Sequence, residues 1–363
     1  MNEDISVTRF REYLRIKTVH PDPDYGSAVQ FLERLAIEIG LLFKVVQVAP
    51  KRPIVVLTWL GQNEQLPSIM LNSHMDVVPV FAEHWKYDPF SAHKDESGNI
   101  YARGTQDMKC VGIQYVEAVR RLKAQNFRLV RNLHIIFVPD EELGSALGMQ
   151  LFVDSDAFKS LNIGFGLDEA TSKLFSVVYQ IFSTNLIKQK IINKFLMFRE
   201  ENLLKLKNNK LLDTGDVFTV NLTIISGGVQ VNVIPAEFIA GKQFFQTKAM
   251  FEKMVEEVSA DCKFEWIQFY DSSAVTPVDD TNPWWTSFSD TMNSMNLEFE
   301  VKTFVGGTDG RFLRSLKIPC IGFSPINHTP TLLHEHNEFL NEKIFLRGIE
   351  IYVKLIRALA NRK

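Results

Sequence analysis

Histidine and acidic side chains follow the ends of several predicted strands, and their types suit a metal site. The candidates are His74 and Asp76 in NSHMD, Asp107 in RGTQDMKC, Glu141 and Glu142 in VPDEELGS, Glu169 in LDEA and His334 in LLHEH. Ligands bind outside the carboxyl ends of strands in open α/β sheets, so polar residues at these ends carry information about function. Imidazoles and carboxylates without thiolates suit zinc, with cobalt or manganese as substitutes.

Taken one at a time, these residues have ordinary structural explanations. Asp107 could cap the helix that follows it, and His74 could be a partly buried histidine with satisfied hydrogen bonds. Glu141 and Glu142 could form the solvated first turn of a helix. Together they favour a metal site, because several anions at the strand ends of one sheet repel one another unless a cation neutralises them. Asp76 shares a strand face with His74, so its carboxylate is predicted to accept the ring N–H of that histidine.

The elements that must position these side chains alternate between helix and strand, which predicts an α/β fold. AVQFLERLAIEIG has the apolar spacing of a helix, whereas PIVVLTWLG, SIMLNSH, LHIIFVPD and IGFGLD are predicted strands. The pattern changes to a small α+β insert in the middle of the chain. We therefore predict a catalytic, metal-binding domain formed by residues 1–180 and 273–363, interrupted by a smaller lid domain at residues 181–272.

The composition is that of an ordinary globular protein. The chain has 363 residues, of which 45% are hydrophobic and 23% are charged, and its formal net charge is −3. Without a basic excess, neither a nucleic acid nor a membrane surface is expected as a partner. A small molecule is the expected partner. Cys110, Cys262 and Cys320 are too far apart to indicate a disulfide framework, and the N-terminal stretch lacks the apolar core of a signal peptide. A reducing, cytoplasmic location is therefore predicted.

These motifs resemble the aminoacylase-1 family of zinc-dependent amidohydrolases, relatives of the cytosolic dipeptidases and acetylornithine deacetylase. The matching segments are NSHMDVVPV, HWKYDPF, YARGTQDMKC, VPDEELGS, LDEA, GGTDGR and GFSPINHTPTLLHEHNE, and they cover nearly the full length. The resemblance implies a zinc-peptidase-like mixed sheet flanked by helices, interrupted by a smaller α+β lid that also forms a homodimer. It also implies metal-dependent hydrolysis of N-acyl-L-amino acids to a carboxylate and a free L-amino acid.

The resemblance further implies two zinc ions in each chain, with a role for each candidate ligand. His74 and Glu169 would hold one ion, and Glu142 and His334 would hold the other. Asp107 would bridge the two ions. One carboxylate that joins two metal ions is a common arrangement in hydrolases.

Three further residues receive roles from the same resemblance. Glu141 would be the general base that takes a proton from the attacking water and later protonates the leaving amine. Asp76 would act beside it as the second catalytic residue. Arg311 in GGTDGR would bind the substrate carboxylate, because a guanidinium group makes paired hydrogen bonds with a carboxylate.

The predicted lid departs from the family pattern. Family lids carry a histidine that reaches the partner subunit's active site and stabilises the oxyanion, and no histidine occurs between His134 and His328 in this chain. Loss of one oxyanion donor typically lowers turnover by about a hundred- to a thousand-fold. Two alternatives therefore remain. One is a catalytically impaired zinc-binding or regulatory paralogue or isoform, and the other is a related dipeptidase or deacetylase.

Overall fold

The computed structural model describes residues 3–169, 275–302 and 307–362. Between residues 170 and 274 it describes three strands and the residues 197, 198, 200, 201, 203–205, 207, 208, 253 and 257. Most of the predicted lid therefore lies outside the described residues, as does Cys262.

The chain divides into two compact units. The first consists of Met1–Thr171, Ser272–Val301 and Thr308–Lys363, and the second consists of Ser172–Asp271 and Lys302–Gly307. The functional domains at residues 1–180, 181–272 and 273–363 remain a prediction, because a division into compact units does not assign catalysis or dimerisation to either one.

The described helices and strands are as follows. The helices are α1 Ile5–Arg15, α2 Tyr25–Ile39, α3 Lys109–Ala124, α4 Met149–Asp154, α5 Asp156–Lys159, α6 Pro283–Ser294, α7 Gly310–Ser315 and α8 Glu342–Ala360. The strands are β1 Leu42–Ala49, β2 Arg52–Trp59, β3 Ser68–His74, β4 His93–Lys94, β5 Asn99–Tyr101, β6 Leu133–Val138, β7 Ile163–Asp168, β8 Val177–Ile181, β9 Val220–Gly227, β10 Phe238–Phe244, β11 Cys320–Gly322 and β12 Phe339–Asn341. Short 3₁₀ turns cover Ala82–His84 and Glu141–Leu143.

A mixed six-stranded sheet forms the centre of the first unit, in the order β1-β2-β6-β3-β7-β11. β3 runs parallel to β6 and to β7, and β11 runs parallel to β7. The β1–β2 and β2–β6 pairs are antiparallel. Every residue of β3 and β6 is buried, as expected of central parallel strands that are covered on both faces. The predicted α/β fold with a mixed sheet and flanking helices is confirmed.

Helices α1, α3 and α8 cover the sheet through a continuous apolar core. Phe10 of α1 stacks on Phe345 of α8 with ring centroids 4.4 Å apart, and both side chains are fully buried. The long helix α8 is capped at its N-terminus by Asn341, whose side chain accepts a hydrogen bond from the amide of Lys343 at 3.0 Å. Such an N-cap satisfies one of the amides that a helix start leaves without a partner. Helices α3 and α8 of this core pack against β3, the strand that ends at His74.

A second, three-stranded sheet of the first unit has the order β12-β5-β4, with antiparallel pairing throughout. β5 is followed by the loop that contains Asp107, and β12 follows the loop that contains His334. This small sheet therefore brings together two loops that are far apart in the sequence.

The second unit contains the antiparallel sheet β8-β10-β9. β10 pairs with β8 on one side and with β9 on the other.

Candidate metal centre

Three parallel strands of the central sheet end at the candidate site. β3 ends at His74, β7 ends one residue before Glu169, and β6 ends three residues before Glu141. β3 lies between the other two in the sheet, so the three carboxyl ends are neighbours. This is the edge at which open α/β sheets place their functional groups.

The ring of His74 is fully buried and oriented by its own strand end. Its Nδ1–H donates to the main-chain oxygen of Asp76 at 2.8 Å. Since a carbonyl oxygen can only accept, Nδ1 carries the proton and the lone pair of the neutral ring lies on Nε2. Nε2 faces Asp107 Oδ1 at 3.0 Å and Glu169 Oε1 at 3.6 Å. A lone pair directed at two carboxylates requires a proton or a metal cation between them.

His334 makes the corresponding contacts on the other side of Asp107. Its Nε2 lies 3.3 Å from Asp107 Oδ2 and 3.2 Å from Glu142 Oε2. The two oxygens of Asp107 therefore face different imidazoles. His334 also has a positive φ of 63°, a conformation that few non-glycine residues adopt and in which histidine is enriched.

The spacing of these atoms suits metal ions. Ligand atoms about 2.0–2.2 Å from a tetrahedral zinc ion lie about 3.3–3.6 Å from one another. One ligand atom each from His74, Asp107 and Glu142 lie within 4.8 Å of one another, and so do those of His74, Glu141 and Glu169. Each of these groups of imidazole and carboxylate donors could therefore hold a divalent cation.

Electrostatics supports the same interpretation. Burial by itself would lower the pKa of His334, but hydrogen bonds with Asp107 and Glu142, together with their charges, raise it to about 10. A potential that attracts a proton this strongly also attracts a divalent cation. The metal binds imidazole in its neutral form, so the two would compete for Nε2.

Asp76 holds the two adjacent glutamates in place. Its Oδ1 accepts the amide N–H of Glu141 at 3.1 Å, and its Oδ2 accepts the amide N–H of Glu142 at 3.0 Å. The predicted bond from the His74 ring to this carboxylate is corrected, because that ring donates to the main-chain oxygen and Oδ1 is 3.6 Å away. The strand ends at His74, so Asp76 no longer follows the strand alternation and its carboxylate turns toward the neighbouring loop.

Known proteins that resemble this chain match it over the range that contains the candidate ligands. The family description "Peptidase family M20/M25/M40" matches residues 70–358, a range that contains every candidate ligand. The chain belongs to this family. Aminoacylase-1A of Rattus norvegicus is 47% identical over 394 aligned positions that cover 99% of this chain and 96% of the relative. Aminoacylase-1 of Homo sapiens is 45% identical over 392 aligned positions that cover 99% of this chain and 96% of the human protein. The predicted relationship to aminoacylase-1 is confirmed.

A solved structure agrees on the fold of this M20 family chain. An M20 family metallo-carboxypeptidase from Sulfolobus solfataricus superposes with a TM-score of 0.76 at 16% identity, covering 99% of this chain and 100% of the other. The alignment with the rat relative is longer than the 363 residues of this chain, so that relative has residues that this chain lacks.

Arg311 of this M20 family chain joins two loops at the site. Its Nη2 donates to the main-chain oxygen of Gly144 at 2.8 Å, and its Nη1 donates to that of Thr308 at 3.1 Å. These bonds tie the start of α7 to the turn that carries Glu141 and Glu142. A substrate carboxylate as an additional partner of Arg311 remains a prediction.

Sequence reasoning missed several buried residues behind the ligands. His20 Nε2–H donates to Asp76 Oδ2 at 2.9 Å, and with His74 it holds the pKa of that buried carboxyl below its usual value, although burial alone would raise it. Asn72 Nδ2 donates to Asp168 at 3.0 Å and to Asp309 at 3.4 Å. Burial and the charge of Asp168 raise the pKa of Asp309 to about 7. His20 lies outside the segments that carry the resemblance, whereas Asn72, Asp168 and Asp309 lie inside NSHMDVVPV, LDEA and GGTDGR, and only the folded structure shows these contacts.

Asp140, immediately before the glutamate pair, is fixed by two side chains. Its φ is 59°, and the Tyr25 hydroxyl donates to its Oδ1 at 2.8 Å while accepting from its amide at 3.0 Å. The Arg52 guanidinium pairs with the other carboxylate oxygen. These contacts hold the start of the turn that presents Glu141 and Glu142.

Tyr25→Phe is expected to lower the free energy of unfolding by about 1–3 kcal/mol, because it removes a donor to a buried carboxylate. Urea unfolding of the two proteins measures this difference. Tyr101→Phe is the matched control, since its hydroxyl makes a longer bond of 3.3 Å to Asp95, and it should have a smaller effect. Equal losses for the two variants would contradict the role given to Tyr25.

Proposed function

We propose that this chain is a metal-dependent amidohydrolase that cleaves N-acyl-L-amino acids to a carboxylate and a free L-amino acid. The observation that carries the proposal is the Asp107 carboxylate, whose two oxygens lie 3.0 Å and 3.3 Å from the Nε2 atoms of two imidazoles. The substrate class follows the relatives, which are named aminoacylases and are 45–47% identical to this chain.

The proposed ligands divide into two sets. His74 and Glu169 would hold one zinc ion, Glu142 and His334 would hold the other, and Asp107 would be shared by both. The contacts of 3.0–3.6 Å among these residues support this division. Bound zinc ions would polarise the amide carbonyl and lower the pKa of a water molecule.

Glu141 is the proposed general base. Its carboxylate lies close to ligand atoms of His74 and Glu169, whereas Glu142 is in contact with His334. Glu141 takes the proton of the attacking water and returns it to the leaving nitrogen. Asp76 holds the amides of both glutamates and so keeps the base separate from the ligand. Arg311 is the proposed partner of the substrate carboxylate.

Release of methionine from N-acetylmethionine by zinc-loaded protein tests the proposal. Removal of metal with a chelator is expected to abolish release, and added zinc is expected to restore it. A glycyl-methionine dipeptide and an acetylated amine without a carboxylate, assayed alongside, distinguish the aminoacylase from a dipeptidase or a deacetylase. Preferential cleavage of either alternative substrate would replace the proposed substrate class.

The second candidate is a zinc-binding paralogue or isoform with impaired catalysis. The absence of histidine between His134 and His328 favours it, and so does the shorter length of this chain relative to the rat alignment. Protein that binds two zinc ions but releases no methionine would support this candidate over the enzyme.

Partner and location are proposed more broadly. The partner is a small N-acylated amino acid, and a homodimer follows from the family resemblance. In the part of the chain that the structure describes, none of the helices combines the length and hydropathy needed to cross a bilayer. A cytoplasmic location rests on the cysteine spacing, and Cys110 and Cys320 are buried free thiols.

A further inference from the structure

The Glu338 carboxylate is fully buried beside the metal centre and accepts hydrogen bonds from one short loop. Its donors are Arg103 Nη1 at 2.8 Å, the Gly104 amide at 3.1 Å, the Thr105 hydroxyl at 3.2 Å, and the amides of Gln106 at 2.6 Å and Asp107 at 3.4 Å. The loop ends at the proposed bridging ligand. Glu338 itself lies four residues after His334, so one side chain connects the segments of two proposed ligands.

We propose that Glu338 is a positioning residue that sets the distance between Asp107 and His334 and thereby the affinity of the metal position that they share with Glu142. This inference rests on the proposed metal centre. Glu338 acts through the two ligands, and no direct contact with metal or substrate is required.

Two neighbouring side chains reinforce the same connection. Gln106 Nε2 donates to the main-chain oxygens of Pro330 at 3.1 Å and Phe339 at 2.8 Å, and its Oε1 accepts the Leu332 amide at 3.0 Å. Gln106 therefore spans the segment that contains His334. Arg103 Nη1 also donates to the main-chain oxygen of Glu335 at 3.1 Å.

The loop chemistry requires a carboxylate at position 338. Four of the partners are N–H groups that can only donate, and an ionised carboxylate offers only acceptors. The hydrogen of the Thr105 hydroxyl is shared between Glu338 at 3.2 Å and the main-chain oxygen of Ala102 at 2.9 Å. The side-chain NH₂ of a glutamine would face main-chain N–H groups, and the buried Arg103 guanidinium would lose its counter-charge. Gly104 has a φ of +92°, and a Cβ there would lie 3.1 Å from Val77 and 3.2 Å from Lys109, so the loop conformation that presents its amide to Glu338 requires glycine at this position.

Zinc titration of Glu338→Gln, with a competing chromophoric chelator, tests the inference. We expect one of the two zinc ions to bind about 10–100-fold more weakly, as is typical when a group behind a metal ligand is changed. The other ion should be affected less, because His74 ends β3 and Glu169 follows β7, so that only Asp107 among its proposed ligands belongs to the loop of residues 103–107. Replacement of zinc by cobalt supplies a spectroscopic signature. In Glu338→Gln, the visible absorption of the cobalt ion at the weakened position should differ from that in the parent protein.

Glu117→Gln is the matched control. Glu117 is also a buried glutamate that pairs with arginines, Arg9 and Arg120, but it contacts no proposed ligand. We expect it to lower stability without changing the zinc affinities or the cobalt spectrum. Equal weakening of zinc binding in this control would mean that the Glu338 effect is general destabilisation, and it would overturn the inference.

Gln106→Ala provides a second test that does not leave an uncompensated buried charge. It removes the three bonds to the His334 segment, so the same zinc ion should bind more weakly, whether or not the Glu338 variant folds.

Parent-like zinc affinities and cobalt spectra in the variants that fold would overturn the inference. A parent chain that binds two zinc ions without hydrolysing N-acetylmethionine would contradict the proposed function alone. A parent chain that binds no zinc would overturn both.

Discussion

Replacement of Asp107 by asparagine is expected to abolish hydrolysis and to leave fewer than two zinc ions bound in each chain. Asp107 places one oxygen near each imidazole, 3.0 Å from His74 and 3.3 Å from His334. An asparagine has a single side-chain oxygen, and its NH₂ group would face the second metal position with donors instead of an acceptor. The loss should exceed the roughly 10–100-fold effects that follow changes behind a ligand.

Metal analysis after dialysis, together with the N-acetylmethionine assay, checks this expectation. Asp156→Asn is the control, because Asp156 is a fully exposed aspartate that pairs with Lys159 on the surface, and it should keep both zinc ions and full activity. If Asp107→Asn keeps two ions, the bridging role is wrong.

Glu141→Gln is expected to lower kcat by about a hundred- to ten-thousand-fold while both zinc ions stay bound. The glutamine has nearly the same shape but cannot accept the proton of the attacking water. Its main-chain amide still donates to Asp76, so the turn should keep its geometry. Steady-state kinetics and zinc content, measured on the same preparation, give the two quantities.

Glu142→Gln is the informative comparison, because Glu142 is the proposed ligand and contacts His334 at 3.2 Å. It should lose zinc as well as activity. The opposite result, with zinc lost from Glu141→Gln and kept by Glu142→Gln, would exchange the two assignments. Glu141 lies close enough to His74 and Glu169 to make that exchange chemically reasonable.

The sequence by itself was sufficient for the fold class and for the neighbourhood of the site. Apolar runs that end in polar residues predicted the strands that finish at His74 and just before Glu169, and both are present in β3 and β7. Hydrophobic periodicity carries this information because burial of a strand depends mainly on local pattern. The repeated occurrence of acids and imidazoles at such ends then indicated a cation.

Only the tertiary structure decided which atoms meet. Arg103 and Glu338 are 235 positions apart, and no spacing rule links them, yet their side chains lie 2.8 Å apart. The Asp76 carboxylate was predicted to bond His74 but holds the amides of Glu141 and Glu142 instead. Such contacts depend on how loops leave the sheet, and loop conformation follows from the packing of distant segments. Local sequence pattern determines which strands form, whereas the approach of those segments determines how the residues at their ends are held.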